Sequence, residues 1–144
     1  QEIHAGGEIF RVSGSGYAAT GEISHNGEAV ETRGVLRECL LAGVLCNDAA
    51  LVEREGRREV AGDPTEGALL VAAEKGGLVP GELHAAYSRH DEIPFDSRYQ
   101  YMATLQSGQR IARANSQGER EVLDDKARAE EIASTRRVME SDCR

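Results

Sequence analysis

Asp63-Pro64-Thr65-Glu66-Gly67-Ala68-Leu69 is the stretch whose reading decides the fold, because each of its first residues has a defined place at a helix start. Asp63 can accept backbone N–H bonds as N-cap, Pro64 suits the first helical position, and Glu66 falls where a capping box wants an acid. The apolar run 68–73 then enters a core, and Gly76-Gly77 supplies the stop, so the spacing predicts a helix over 65–75. About thirty residues further on, Ile93-Pro94-Phe95-Asp96-Ser97 sets an aromatic ring just after a proline, ahead of a strand over 99–106. Together the two segments offer a hydroxyl, a carboxylate and an aromatic face to one small planar ligand.

Outward from these segments the pattern gives short strands and helices. Residues 8–23 read as two strands joined by a Gly-rich turn, and Asn26-Gly27 is a tight-turn signal. A helix follows over 35–46, with Leu36, Cys39, Leu40, Gly43 and Val44 at helical spacing. Residues 51–54 and 57–60 flank Glu55-Gly56 as a hairpin, and Pro80 opens a short helix to about residue 86. Strands are expected over 90–94, 99–106 and 110–113, the last two joined at Ser107-Gly108, and a charged, Ala-rich helix over 124–139. Strands grouped apart from helices indicate an α+β fold with a largely antiparallel sheet.

Composition narrows the classes of function. The chain has 144 residues, room for one domain with a true core, and a mostly aliphatic interior follows from only 2 Phe and no Trp. With 25 acids against 17 bases the net charge is −8, which repels a nucleic-acid backbone but leaves room for a mononucleotide. No apolar run approaches about 18 residues, so no membrane insertion is expected, and residues 1–9 do not resemble a signal peptide. Cys39, Cys46 and Cys143 form no metal or redox motif and read as buried free thiols. The four histidines lack ligand spacing, so no metal is assigned, and no nucleophilic triad or P-loop is present. Gly14-Ser15-Gly16-Tyr17 looks like a phosphate loop, but no helix follows it, and it reads as a turn.

Several segments carry a resemblance. Val12-Ser13-Gly14-Ser15-Gly16-Tyr17 with Thr20-Gly21-Glu22-Ile23, then Cys46-Asn47-Asp48-Ala49-Ala50-Leu51, residues 62–70, and Pro94-Phe95-Asp96-Ser97 with Tyr101-Met102-Ala103-Thr104 resemble the nucleotide-binding (N) domain of P-type cation-transporting ATPases, nearest the calcium-pump-like and related bacterial pumps. The resemblance runs from about residue 10 to 108 and fades beyond. It implies a twisted, mainly antiparallel sheet flanked by helices, forming one nucleotide-binding domain over residues 1–144, a piece of a larger membrane pump. It implies binding of ATP, as Mg-ATP in the intact pump, and presentation of the γ-phosphate to an aspartate on a separate domain. The implied partners are an adenine nucleotide and the pump's phosphorylation and actuator domains, and the implied location is the cytoplasmic part of a membrane protein. The phosphorylation motif Asp-Lys-Thr-Gly-Thr is absent from these residues, so the fragment alone is expected to catalyse nothing.

On that resemblance Phe95 would clamp the adenine, Glu66 would accept from its amino group, and Asp63 and Thr65 would shape the helix entrance. Ser97 and Met102 belong to the same stacking strand. Gln100 stands where the family usually has Lys, and it can hydrogen-bond but cannot neutralise phosphate. Arg98 and Arg144 are the remaining cationic candidates, each equally readable as a solvated arginine. The residues alone also allow Phe95 to be a core ring and Asp63 to Glu66 to be pure capping. The family's Lys-Gly-Ala segment is missing near 112–115, where the sequence changes character abruptly, which points either to a lost loop or to a gap in the chain. A degenerate N domain that serves as a structural or regulatory interaction module is the alternative reading, and an unrelated α+β binding module is a third.

Overall fold

A computed structural model of the chain describes residues 1–98, 100–106, 112–114 and 120–122, together with 126, 130, 133, 134 and 137. The chain divides into two compact units, Gln1–Arg89 and His90–Arg144.

The first unit begins with four short strands, β1 (Glu2–Ala5), β2 (Glu8–Val12), β3 (Ile23–His25) and β4 (Glu28–Ala29), in one sheet of that order. Each neighbouring pair is antiparallel. Residues 8–23 therefore hold one strand and the first residue of a second, not two complete strands, and β2 pairs with the earlier β1 as well as with β3. The cause is the loop 13–22, in which Gly14, Gly16 and Gly21 all take positive φ. This loop is closed at its base by Ser13 N–H to the Glu22 carbonyl (3.0 Å) and Glu22 N–H to Ser13 Oγ (2.9 Å). The Asn26-Gly27 turn forms as expected, with φ of 52° and 87°, the primed geometry whose twist suits a two-residue hairpin.

Helix α1 (Gly34–Leu45) buries Leu36, Leu40, Leu41, Val44 and Leu45. That face is rotated from the expected stripe toward Leu41 and Leu45. Cys39 is consequently exposed and Cys46 half-buried, so the reading of these two as buried thiols is corrected. The hairpin β5 (Ala50–Arg54) with β6 (Arg57–Ala61) follows, in register from Ala50↔Ala61 to Arg54↔Arg57. Helix α2 (Pro64–Lys75) ends in a Schellman motif, with Leu78 N–H on the Ala73 carbonyl (3.0 Å) and Gly77 N–H on Glu74 (2.8 Å). Its last residue reaches back to the first sheet, where Lys75 Nζ donates to the Ser13 carbonyl at 2.8 Å. A short α3 (Pro80–Ala86) completes the unit.

Phe10 and Val12 of β2, Ile23 of β3, Leu36, Leu40 and Val44 of α1, and Leu70 and Ala73 of α2 form one buried cluster. Each large side chain buried there contributes roughly 1.5–3 kcal/mol. Helix α2 lies so close to β6 that a Cβ on Gly67 would meet Val60 Cγ2 at 2.3 Å.

The second unit contains β7 (Arg89–Asp96, which starts at the boundary) and β8 (Tyr101–Gln106) as one two-stranded sheet. It also contains β9 (Ala112–Ala114) and β10 (Arg120–Val122), paired antiparallel. The expected turn at 107–108 lies outside the described residues, as does the first part of the strand expected over 110–113. Within the expected helix 124–139, Lys126, Glu130, Ala133, Ser134 and Arg137 are helical. Mixed helices and antiparallel strands make this an α+β chain.

Two glycine substitutions separate helix propensity from packing. Gly43→Ala in α1 places its Cβ 3.5 Å from Leu69, an ordinary contact, and is expected to stabilise by up to about 1 kcal/mol. Gly67→Ala gains the same propensity but drives into Val60, an overpacking cost of about 1–3 kcal/mol, and is expected to destabilise. Denaturant unfolding of both variants checks the pair, and a stabilised Gly67→Ala would contradict the close approach.

Candidate functional site

The start of α2 is built by Asp63. Its backbone is extended (φ −70°, ψ 132°), and Oδ1 accepts from Thr65 N–H at 2.7 Å and Glu66 N–H at 3.3 Å. Pro64 has no N–H, and Gly67 N–H already bonds the Asp63 carbonyl (2.9 Å). The N–H groups of residues 64–67 are thus absent or satisfied within the helix start, and the positive end of the helix dipole meets a carboxylate. These backbone bonds, first from Thr65 and then from Glu66, hold the Asp63 carboxyl below its ordinary value.

The capping box is only half made. Glu66 Oε2 accepts from Asp48 N–H at 3.1 Å, across the unit, where a reciprocal box would turn it back to the Asp63 N–H. The partner segment is itself anchored. Asn47, only 2% exposed, donates through Nδ2 to the Gly43 carbonyl (3.0 Å) and the Glu66 carbonyl (2.9 Å), and its Oδ1 accepts from Ala49 N–H (2.9 Å). Arg89 donates to Asp48 Oδ1 (2.6 Å) and to the carbonyls of Asn47 (2.8 Å) and Leu45 (3.4 Å), which takes up acceptors left at the end of α1. The role of Asn47 and Arg89 is not readable from sequence. The only signal is a lone Asn directly after an apolar helix, a position where a buried amide and a solvent cap look alike.

The second unit presents Phe95 on β7 with its side chain turned out, 58% exposed, while Ile93 is buried at 5%. Period-2 alternation puts the two on the same face in sequence terms, so the exposure of Phe95 marks the point where that face stops being covered. The alternative of Phe95 as a core ring does not hold, since the ring is exposed. Arg98 lies against Asp96, with Nη2 to Oδ2 at 3.0 Å and Nε and N–H to Oδ1 at 3.3 and 2.8 Å. The Arg98 contacts lower the Asp96 carboxyl, the side-chain bond most. Ser97 and Gln100 are exposed, and Gln100 takes φ 51° in the connection to β8, its N–H on the Asp96 carbonyl (2.8 Å). Met102 is half-buried. Arg144 lies outside the described residues, as do 107–111 and 115–119, which flank the position expected for the Lys-Gly-Ala segment.

Asp63, Thr65 and Glu66 are thus gathered at one helix start, and Phe95, Ser97, Arg98, Gln100 and Met102 along one two-stranded sheet. Two cavities of the first unit, about 430 and 480 Å³, are lined by neither group. Among the described residues no cluster of three or more His, Cys, Asp or Glu is placed to hold a metal. No helix among them is long and apolar enough to cross a membrane.

A family model described as P-type ATPase, cytoplasmic domain N, matches residues 35–138, from the start of α1 past the Phe95 strand. The chain belongs to this family. Three curated relatives agree with that assignment. The cation-transporting ATPase pma1 of Synechocystis is 48% identical over 115 residues, 75% of this chain and 13% of the relative. The calcium-transporting ATPase of Bacillus subtilis is 38% identical over 109 residues, 74% of this chain and 12% of the relative. The probable cation-transporting ATPase F of Mycobacterium tuberculosis is 46% identical over 102 residues, 69% of this chain and 11% of the relative. This P-type ATPase N domain therefore spans about an eighth of the length of the relatives it matches.

The depressed Asp63 carboxyl gives a pH prediction with a definite sign. A folded value below the unfolded one adds stability that is complete above the ordinary value of 3.8 and is lost as pH falls through the folded value. Asp63→Asn keeps an acceptor for the helix N–H groups but cannot titrate. Unfolding curves between pH 6 and pH 3 are expected to show a smaller acid loss for Asp63→Asn than for the natural chain, and Asp63→Ala is expected to be less stable than both near neutral pH. Equal acid losses in the natural chain and Asp63→Asn would contradict the capping role.

Proposed function

We propose that this chain binds ATP through its adenine base as the nucleotide-binding domain of a P-type cation pump, with the twisted antiparallel sheet and flanking helices of that family. In the parent protein the bound Mg-ATP presents its γ-phosphate to an aspartate on a phosphorylation domain, an actuator domain completes the cycle, and hydrolysis drives cation transport. The domain lies on the cytoplasmic side of the membrane. The reading draws on the family assignment and on relatives whose names are cation- and calcium-transporting ATPases.

The observation that carries it is the state of the α2 start. Its N–H groups are occupied by Asp63, and two carboxylates, Asp63 and the half-buried Glu66, stand where an anion would otherwise dock. Such a helix end disfavours phosphate and favours a hydrogen-bond donor, as the exocyclic amine of adenine is. In this proposal Glu66 accepts from that amine, with Asp63 and Thr65 fixing the helix start. Phe95 stacks on the base, flanked by Met102, and Ser97 and Gln100 add polar contacts. Arg98 and Arg144 are the cationic candidates for phosphate, Arg98 with part of its charge already balanced by Asp96.

Stacking on an aromatic face contributes about 1–3 kcal/mol, so Phe95→Ala is expected to weaken ATP binding by about 5- to 150-fold. A two-dimensional amide NMR titration with ATP, AMP and GTP checks this. Saturable shifts at residues 63–67 and 95–102, of similar affinity for ATP and AMP and weaker for GTP, are the expected result. No shifts at millimolar ATP would leave the domain as an interaction module without nucleotide.

A further inference from the structure

We infer that Asn47 is a positioning residue for base recognition, one that sets the Glu66 carboxylate so that Oε2 is held by Asp48 N–H and Oε1 is left to accept from an exocyclic amine. The inference rests on the nucleotide-binding reading above. Its footing is the bonding of a residue only 2% exposed.

Two carbonyls face the Asn47 amide at 3.0 and 2.9 Å and one N–H faces it at 2.9 Å, a set that only a carboxamide, with its paired donors and its acceptor, satisfies at once. Aspartate at the position would bring no donor to those carbonyls, and leucine would bring neither donor nor acceptor. One of those carbonyls belongs to Glu66 itself, and the next residue, Asp48, holds the Glu66 side chain at 3.1 Å. Glu66 is therefore gripped at its backbone and at one carboxylate oxygen from a single dipeptide. Among the described residues no partner contacts Oε1. Without the Asn47 amide the dipeptide keeps its Arg89 contacts but loses its side-chain bonds to α1 and α2, and the glutamate regains freedom to rotate away from the ligand.

The chemistry separates bases. An amine at C6 of the purine donates to Oε1, a carbonyl there is repelled, and a hydrogen there is ignored. Affinities for ATP and for purine riboside triphosphate, which lacks the amine, therefore read the position of the carboxylate. The natural chain is expected to prefer ATP by about 10- to 150-fold, the range of one hydrogen bond to a charged group. Asn47→Ala is expected to bring the two ligands to near parity by weakening ATP alone, and Glu66→Gln to move the ratio the same way. If Asn47→Ala weakens both ligands equally, the residue is merely structural and the inference is overturned. If the natural chain binds neither ligand, the nucleotide reading falls and takes this one with it, so the two failures are distinct. Should Asn47→Ala not fold, the natural chain still decides: the Asp48 amide resonance is expected to shift on saturation with ATP but not with the analogue, and identical shifts with both would overturn the inference.

Discussion

One buried carboxamide joins the end of α1 to the start of α2 by hydrogen bonds. Asn47 links the last turn of α1 to the first turn of α2 across 19 residues of sequence, and it does so with two hydrogen bonds in a place water scarcely reaches. Buried amides of this kind stabilise modestly when satisfied and cost substantially when a partner is lost. The arrangement therefore specifies geometry more than it adds stability. The apolar cluster of Phe10, Leu36, Leu40, Val44 and Leu70 brings the sheet and the helices together. Asn47 then joins the Glu66 carbonyl at the start of α2 to the Gly43 carbonyl near the end of α1.

The distribution of cations follows from the same economy of contacts. In a chain of net charge −8, several basic residues are engaged in contacts within the fold. Lys75 fastens the 13–22 loop, Arg58 pairs with Glu74, Arg89 caps the end of α1, and Arg98 lies on Asp96. Of the Arg58–Glu74 pair, Glu74 is the more shielded partner, while Arg58 is exposed. The acidic helix start is left without a cation within its own turn.

Much of this was legible in the sequence where local chemistry is strict. Asp63-Pro64 and Gly76-Gly77 marked α2 to within a residue, and Asn26-Gly27 and Glu55-Gly56 marked two of the three two-residue hairpins among the described residues, because caps and positive-φ turns admit few residue types. The exposure of Phe95 was left open by the residues, since a ring after proline fits a core as well as a surface. The β1–β2 hairpin escaped although Gly6-Gly7, both at positive φ, form its turn, and the buried face of α1 was misjudged because Cys39 and Leu41 both suit an apolar stripe. The diversion of Glu66 from Asp63 to Asp48 depends on a loop 18 residues away, and no pattern within the helix announces it.

The occupied start of α2 has a consequence for competition among solutes. A helix end with open N–H groups collects whatever anion is abundant, and inorganic phosphate or sulfate would then sit in the way of a scarcer ligand. Here Asp63 acts as a permanent resident anion, fixed by a covalent backbone and never displaced by mass action. Ionic background should therefore leave the surface near Glu66 vacant, and occupancy there becomes a matter of which donors the solution contains.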